Sequence, residues 1–278
     1  MANGNPTTGI LAPLGSAERW AQDYVSTRCL AHKLSPPPVP DAWSEAPLPS
    51  LRSIRPGRPD ELTVSWHKYK APKSVAALRA PEKRAGLLHT FFHHELQAAE
   101  LMCWAVLAFP DAPRAFRRGL LGICLDEVRH MGWYKAHLER LGFPLGSFPV
   151  RDWFWQRAPD AKTPAEFVAL MGIGFEGGNL DHAERFAQML SEAGDGPAAA
   201  LQKKVGDEEV AHVAFGVHWF QRFTGSCDFA QWQHSLPKPL SPMVMRGLPL
   251  AREQRLKAGM SPAFIEELAQ WQPALPGS

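Results

Sequence analysis

The sequence predicts an all-α protein built on a four-helix bundle, with a long crossover between the second and third helices. Four segments of 27 to 30 residues repeat apolar side chains at steps of three and four, the period of a helix with one buried face. Short turns containing Pro or Gly separate the first segment from the second and the third from the fourth. Between the second and third lie about 20 residues, a connection long enough to cross a bundle.

The predicted bundle helices span residues 82–108, 113–141, 163–192 and 197–223. An amphipathic helix from Ser16 to about Leu34, with Ser16 as its N-cap, is expected to precede them. The residues that follow it are rich in Pro but carry large apolar side chains, so we expect them to drape over the bundle.

Pro-rich composition also marks the C-terminal part of the chain, which we expect to end in a short helix near residues 262–272. The predicted organisation is therefore an N-terminal extension packed on the bundle, a bundle and a C-terminal extension. These three parts cover residues 1–81, 82–224 and 225–278.

A repeated pattern of acidic and histidine residues predicts the site. Two copies of Glu-x-x-His occur, and a lone glutamate precedes them by 32 residues in the first copy and 33 in the second. Four carboxylates and two imidazoles in this order are the ligands with which a helical bundle holds two metal ions in its core. The six candidate ligands are Glu95, Glu127, His130, Glu176, Glu209 and His212.

The spacing brings these residues to one level. Glu95 lies 15 residues before Pro110 and Glu127 lies 16 residues after Asp111, so each is about 24 Å along its helix from the turn. The second hairpin gives a similar result. All six residues also fall on apolar stripes, where an uncompensated carboxylate costs several kcal/mol. A single Glu-x-x-His is more often a solvated pair, but agreement of six residues in order, spacing and face predicts a dinuclear site.

Three features near these ligands leave alternatives open. Asp126 and Asp207 are candidates to accept hydrogen bonds from the ligand histidines. Tyr134, one turn beyond the first histidine, either relays an electron or donates a hydrogen bond, or is simply a core residue. His182 either joins the site or is a satisfied bundle histidine.

The third helix and the crossover each allow two interpretations. Five poor helix formers surround the third-helix glutamate, and they predict either a bulge that opens room for oxygen or substrate, or close packing of helices. They are Gly172, Gly174, Gly177, Gly178 and Asn179. The crossover is rich in aromatic residues, which indicates either a loop that lines a substrate pocket or a connection pinned to the bundle.

Composition limits the classes of partner. A net charge of +2 is too close to neutral to indicate nucleic acid or an anionic membrane as a partner, and the sequence has no basic cluster with interleaved aromatic residues. The chain has no 18-residue apolar run and no apolar leader, so we expect neither a membrane span nor a signal peptide. Its four cysteines form no C-x-x-C pair and are expected to be reduced thiols of a cytoplasmic protein.

Four motifs resemble the ferritin-like family known as domain of unknown function 455. They are residues 93–101, the run Asp126-Glu127-Val128-Arg129-His130, residues 176–181 and residues 208–213. The resemblance covers about residues 15–270 and implies a di-iron centre. The chain departs from the family pattern at Gly178, where relatives tend to carry Arg, and at His182.

Ligands of this type suit two iron ions, with manganese as the alternative. We expect an oxidoreductase that activates O₂ to hydroxylate, desaturate or cleave a small molecule or modified biomolecule, using electrons from a donor that the sequence does not name. One alternative is an iron-handling, ferroxidase or peroxide-detoxifying protein. A second is a non-catalytic bundle in which metal scaffolds a protein interaction. A homodimer is compatible with either.

Overall fold

The computed structural model describes residues 11–46, 48–66, 72 and 74–273, and this part of the chain is all-helical, as predicted. Its β structure is limited to one isolated bridge between Val64 and Val150. The helices are α1 (Ala17–Ser26), α2 (Leu30–Leu34), α3 (Val75–Leu78), α4 (Pro81–Ala108), α5 (Arg114–Arg140), α6 (Pro164–Val168), α7 (Glu176–Glu192), α8 (Gly196–Thr224), α9 (Phe229–His234), α10 (Arg252–Lys257) and α11 (Pro262–Gln270).

Two helical hairpins form the centre of the molecule. Helix α4 packs along α5, α7 packs along α8, and α5 contacts α8 between the hairpins. Turn chemistry sets their ends: the Asp195 side chain accepts a hydrogen bond from the Ala198 amide at the start of α8, and Gly225 with φ of 85° ends that helix. None of the helices in the described ranges is long and apolar enough to pass through a bilayer.

The extensions differ from the sequence prediction in two places. The prediction of one helix from Ser16 to about Leu34 was wrong, because Thr27 is extended and divides α1 from α2. The break turns α2 so that Lys33 reaches back to the Val25 carbonyl, at 3.1 Å. Besides α11, the C-terminal extension contains α9 and α10. Each of these two helices has six residues and is too short to show a helical period in the sequence. The division into three parts stays a prediction.

Buried ion pairs hold both extensions to the centre. Glu100 of α4 is fully buried and lies 2.8 Å from Nζ of Lys33 and 2.6 Å from Nη1 of Arg58. In the C-terminal extension, the buried guanidinium of Arg255 contacts the buried Asp181 carboxylate of α7 at 2.7 Å. Buried charges persist only when they are paired in this way.

The third long helical segment is interrupted by a π-helix at Ala169–Phe175, immediately before Glu176. This confirms the predicted bulge. The alternative interpretation, close packing of helices, holds as well, because a Cβ atom built on Gly216 of α8 would lie only 2.9 Å from Cα of Gly172. The bulge and the close approach of the two backbones therefore occur together.

We expect Gly216→Ala to lower the free energy of unfolding by about 1–3 kcal/mol, because the added methyl group meets backbone atoms that cannot rotate away. Gly132→Ala is the matched control, since a Cβ atom at that exposed helical position meets nothing within 4 Å. The control should be unchanged or stabilised by up to about 1 kcal/mol. Chemical denaturation measures both, and equal effects of the two substitutions would contradict the close-packing account.

Candidate metal centre

Four of the predicted ligands form one buried group. The ligand atoms of Glu95, Glu127, His130 and Glu209 all lie within 4.8 Å of one another, a spacing that could hold a metal ion. Nδ1 of His130 is 3.2 Å from Oε2 of Glu127 and 3.3 Å from Oε2 of Glu95. Helices α4, α5 and α8 each bring a carboxylate to this point from their buried faces.

The other two predicted ligands lie beside this group. Nδ1 of His212 is 2.8 Å from Oε2 of Glu209 and 3.1 Å from Oε1 of Glu127. Glu176 is buried at the start of α7, where the negative charges of Glu209 and Glu127 act with burial to raise its pKa. The roles of His212 and Glu176 as ligands stay predictions.

The outer nitrogens of the two histidines face carboxylates of the opposite helix. Nε2 of His130 on α5 lies 3.1 Å from Glu208 on α8, and Nε2 of His212 on α8 lies 3.3 Å from Asp126 on α5. Arg129 joins the two carboxylates, at 2.8 Å from Asp126 and 2.6 Å from Glu208. Because Nε2 of each histidine faces its carboxylate, Nδ1 faces the buried group and is the nitrogen available to a metal ion that displaces its proton.

Asp126 contacts Nε2 of His212, as predicted, whereas the prediction for Asp207 was wrong. Asp207 lies on the exposed face of α8 and pairs with Lys203 at 2.7 Å. Glu208 takes the expected position. The sequence signal is the acidic residue directly before each Glu-x-x-His, and Asp207 lies one residue too early.

In the absence of a metal ion, protons balance the charge of this site. Burial and the neighbouring Glu127 raise the pKa of Glu95, and burial and Glu209 raise the pKa of Glu176. Burial alone would lower the pKa of His130, but its contacts with Glu127 and Glu95 outweigh burial and raise it to about 12. The pKa of Glu127 is lowered, because hydrogen bonds with Glu95 and the histidines outweigh burial.

The donor set fits a hard or borderline cation. Carboxylate oxygens and imidazole nitrogens are preferred ligands of iron and manganese, and the group contains no thiolate. Oε1 of Glu127 is buried and lies 3.1 Å from Nδ1 of His212, itself a predicted ligand. Carboxylates buried this close together are costly unless protons or a cation compensate their charge.

We expect the affinity of the protein for Mn²⁺ to be higher at pH 8 than at pH 6. The pKa values of Glu95, Glu176, His130 and His212 are all raised in the metal-free protein, so a metal ion must compete with protons for these groups. Isothermal titration calorimetry in two buffers of different ionisation enthalpy measures both the affinity and the protons released. Equal affinities at the two pH values, with no proton release, would contradict this assignment of protonation states.

A cavity of about 550 Å³ adjoins the group, and Glu95 and Glu176 form part of its wall. His182 also lines the cavity, outside the four-residue group, and its Nδ1 makes no hydrogen bond within the described chain. Tyr134 is fully buried and donates a hydrogen bond to Oε1 of Gln202 at 2.9 Å. The catalytic role of Tyr134 stays a prediction.

The crossover is both pinned to α4 and part of the cavity wall. The buried Gln97 accepts a hydrogen bond from the Phe154 amide at 3.0 Å and donates one to the Arg151 carbonyl at 3.2 Å. Nε1 of Trp155 donates to Glu100 at 2.8 Å. Phe154 and Arg151 line the cavity, so the crossover is both pinned and cavity-lining, and its role in binding a substrate stays a prediction.

Sequence reasoning gave no role to several polar residues at the site. Nδ2 of Asn179 donates to Oε1 of Glu209 at 3.3 Å, although the sequence marked Asn179 only as a poor helix former. Gln97 had one available signal, a polar side chain two residues after a candidate ligand on a helix that is buried on nearly all sides. Its partners in the crossover lie more than 50 residues away and could not be inferred from spacing.

Comparison with known proteins places the chain in one family. No curated protein and no solved structure matches it. The family described as "Protein of unknown function (DUF455)" matches residues 16–266, which is most of the chain. The matched residues include all six predicted ligands and the acidic partners of both histidines. The chain therefore belongs to the DUF455 family.

Proposed function

We propose that this protein is a ferritin-like four-helix bundle that binds two iron ions and uses O₂ to oxidise an organic substrate. One observation carries the proposal: a buried Glu and His cluster adjoins a cavity of about 550 Å³ whose wall includes Glu95 and Glu176. Carboxylates placed on four helical segments, with a Glu-x-x-His on two of them, are the pattern of dinuclear carboxylate proteins. Manganese is the alternative metal.

In this proposal the six residues divide into two sets. Glu95, Glu127 and His130 hold one ion, and the corresponding set, Glu176, Glu209 and His212, holds the other. The histidines bind through Nδ1, because Nε2 of each already faces Glu208 or Asp126. Bound iron would supply the electrons and the open coordination positions that O₂ activation needs.

The remaining residues around the site shape its surroundings. Phe154 and Phe175 stack at 4.8 Å and give the cavity an apolar wall that limits the entry of water. Gln97 holds the crossover against α4 and so keeps Phe154 in place. Such a built cavity favours an enzyme with a specific substrate over a protein that only oxidises or stores iron.

The test is to measure metal content and O₂ consumption of the same preparation. Elemental analysis should give about two metal ions per chain after anaerobic loading with Fe²⁺. Consumption of O₂ should then continue beyond the iron present only when a reductant and a suitable organic substrate are supplied. Consumption that always stops once the iron is oxidised favours the iron-handling alternative. A well-folded protein that takes up no metal would overturn both the oxidase proposal and the iron-handling alternative.

A further inference from the structure

Three arginines line the cavity that adjoins the candidate metal centre: Arg151, Arg157 and Arg246. Among the described residues that line it, the only carboxylates are Glu95 and Glu176, which face the metal centre. Once those two groups hold a cation, the charged side chains of the rest of the wall are all positive.

Arg151 and Arg157 form no ion pair with any residue in the described part of the chain. Nε of Arg151 is buried without a hydrogen-bond partner there, and its Nη2 donates to the uncharged Oε1 of Gln156 at 3.3 Å. The guanidinium carbon of Arg157 lies 4.2 Å from the centre of the Trp153 ring, and its Nη1 donates to the Trp153 carbonyl at 2.9 Å. Burial and the neighbouring Arg151 lower the pKa of Arg157. Two like charges are therefore held together with no anion between them.

Neighbouring groups do not supply the missing negative charge. Asp152 lies between the two arginines in sequence, but it pairs with Arg58 at 2.9 Å and with His93 at 3.0 Å. The third arginine of the wall, Arg246, donates to the carbonyls of Ala269 and Trp271 at the end of α11. Its role is thus largely structural, and the free donors belong to the crossover.

Aromatic rings form much of the rest of the wall. The ring of Trp153 lies 5.0 Å from Phe175, and the ring of His94 lies 4.9 Å from Phe154. The cavity thus combines an apolar body with a local pair of guanidinium groups.

We infer that the cavity binds an organic anion, whose carboxylate or phosphate is held by Arg151 and Arg157 while its apolar body lies against the aromatic wall and points toward the metal centre. Guanidinium groups recognise both kinds of anion through paired N–H donors. This inference rests on the proposed function for the identity of the reaction. The binding of the anion rests on the cavity alone.

The test uses three ligands with the same phenylpropyl body and different head groups: 4-phenylbutyrate, 4-phenylbutanamide and 3-phenylpropylphosphonate. Calorimetry measures their binding to the metal-loaded protein and to the metal-free protein. We expect at least one of the two anions to bind at least ten-fold more tightly than the neutral amide in both forms. The anion that binds more tightly distinguishes a carboxylate substrate from a phosphate one.

Two arginine variants connect that preference to the crossover. The double variant Arg151→Gln/Arg157→Gln should lose the preference for the anion, and Arg157→Lys, which keeps the charge, should retain most of it. Arg114→Gln is the matched control, because Arg114 also stacks on a tryptophan, Trp43, at 5.6 Å but does not line the cavity. Circular dichroism checks that each variant is folded.

The outcomes separate this inference from the proposed function. Equal binding of amide and anions, or an anion preference that survives in the double variant, would overturn the inference. A preference that appears only with metal present and is unaffected by the double variant would mean that the ligand carboxylate binds the metal ions instead. A protein that takes up no metal but shows a preference dependent on Arg151 and Arg157 would retain the anion site while the oxidase proposal fails.

Discussion

Replacement of Glu127 or Glu209 by Gln is expected to abolish metal binding. Each carboxylate contacts both a histidine of its own helix and one on the opposite helix: Glu127 lies near His212, and Glu209 lies 3.7 Å from His130. Loss of an outer partner of a ligand typically reduces metal affinity by about 10–100-fold, so loss of a central ligand should cost at least about 100-fold. Elemental analysis after loading and desalting measures the change.

Glu184→Gln is the matched control, since it removes an exposed glutamate of α7 and should leave the metal content unchanged. A third variant, Glu95→Gln, distinguishes the loss of a metal ligand from misfolding of the protein. Burial raises the pKa of Glu95, which favours its neutral form in the metal-free protein, and the amide matches the charge of that form. We therefore expect Glu95→Gln to lose metal while keeping the stability of the metal-free protein. Full metal content in all three ligand variants would show that this cluster is not the metal site.

The second large effect is expected at Glu100, which joins the N-terminal extension to α4. Glu100→Ala should lower the free energy of unfolding by about 3–5 kcal/mol, because it leaves the fully buried ammonium group of Lys33 without its partner. Urea denaturation at pH 7 measures the loss. Glu139→Ala, which removes the exposed partner of Lys135, should change stability by no more than about 0.5 kcal/mol.

The ion pair between Glu100 and Lys33 also makes the stability of the fold depend on pH. Burial alone would raise the pKa of Glu100, but Arg58 and Lys33 outweigh burial and lower it. A carboxylate with a lowered pKa stabilises the fold above its ordinary pKa, and this contribution is lost as the pH falls through the lowered value. The difference in the free energy of unfolding between wild type and Glu100→Ala should therefore shrink as the solution becomes acidic. The double variant Lys33→Met/Glu100→Leu should recover much of the stability at pH 7, and no recovery would argue against a buried unpaired charge as the cause.

Local sequence rules predicted the parts of this molecule that local rules govern. Pro110 and Pro113 end one helix and start the next, and the apolar period placed Glu127 and His130 on the buried face of α5. The glycines near Glu176 correctly indicated an irregular helix. In each case a few neighbouring residues determine the backbone or the face.

Contacts between distant segments were not predictable in this way. The pairing of His130 with Glu208 spans 78 residues, and the hydrogen bond from Asn179 to Glu209 depends on how α7 and α8 are rotated about their axes. A rotation of one residue, about 100°, decides whether Asp207 or Glu208 faces the histidine. Lys33 was missed for a related reason, since a lysine is almost never fully buried unless a distant partner such as Glu100 is present.

The π-helix before Glu176 has a consequence for how this site could have arisen and how it can be re-engineered. A π turn accommodates one residue more than an α turn, so Ala169–Phe175 changes the helical phase between the segment that begins at α6 and the glutamate that follows. Deletion of one residue within it would rotate Glu176 by about 100° relative to α6 and turn it from the cavity. One residue of length in this segment therefore decides whether the carboxylate of Glu176 faces the cavity.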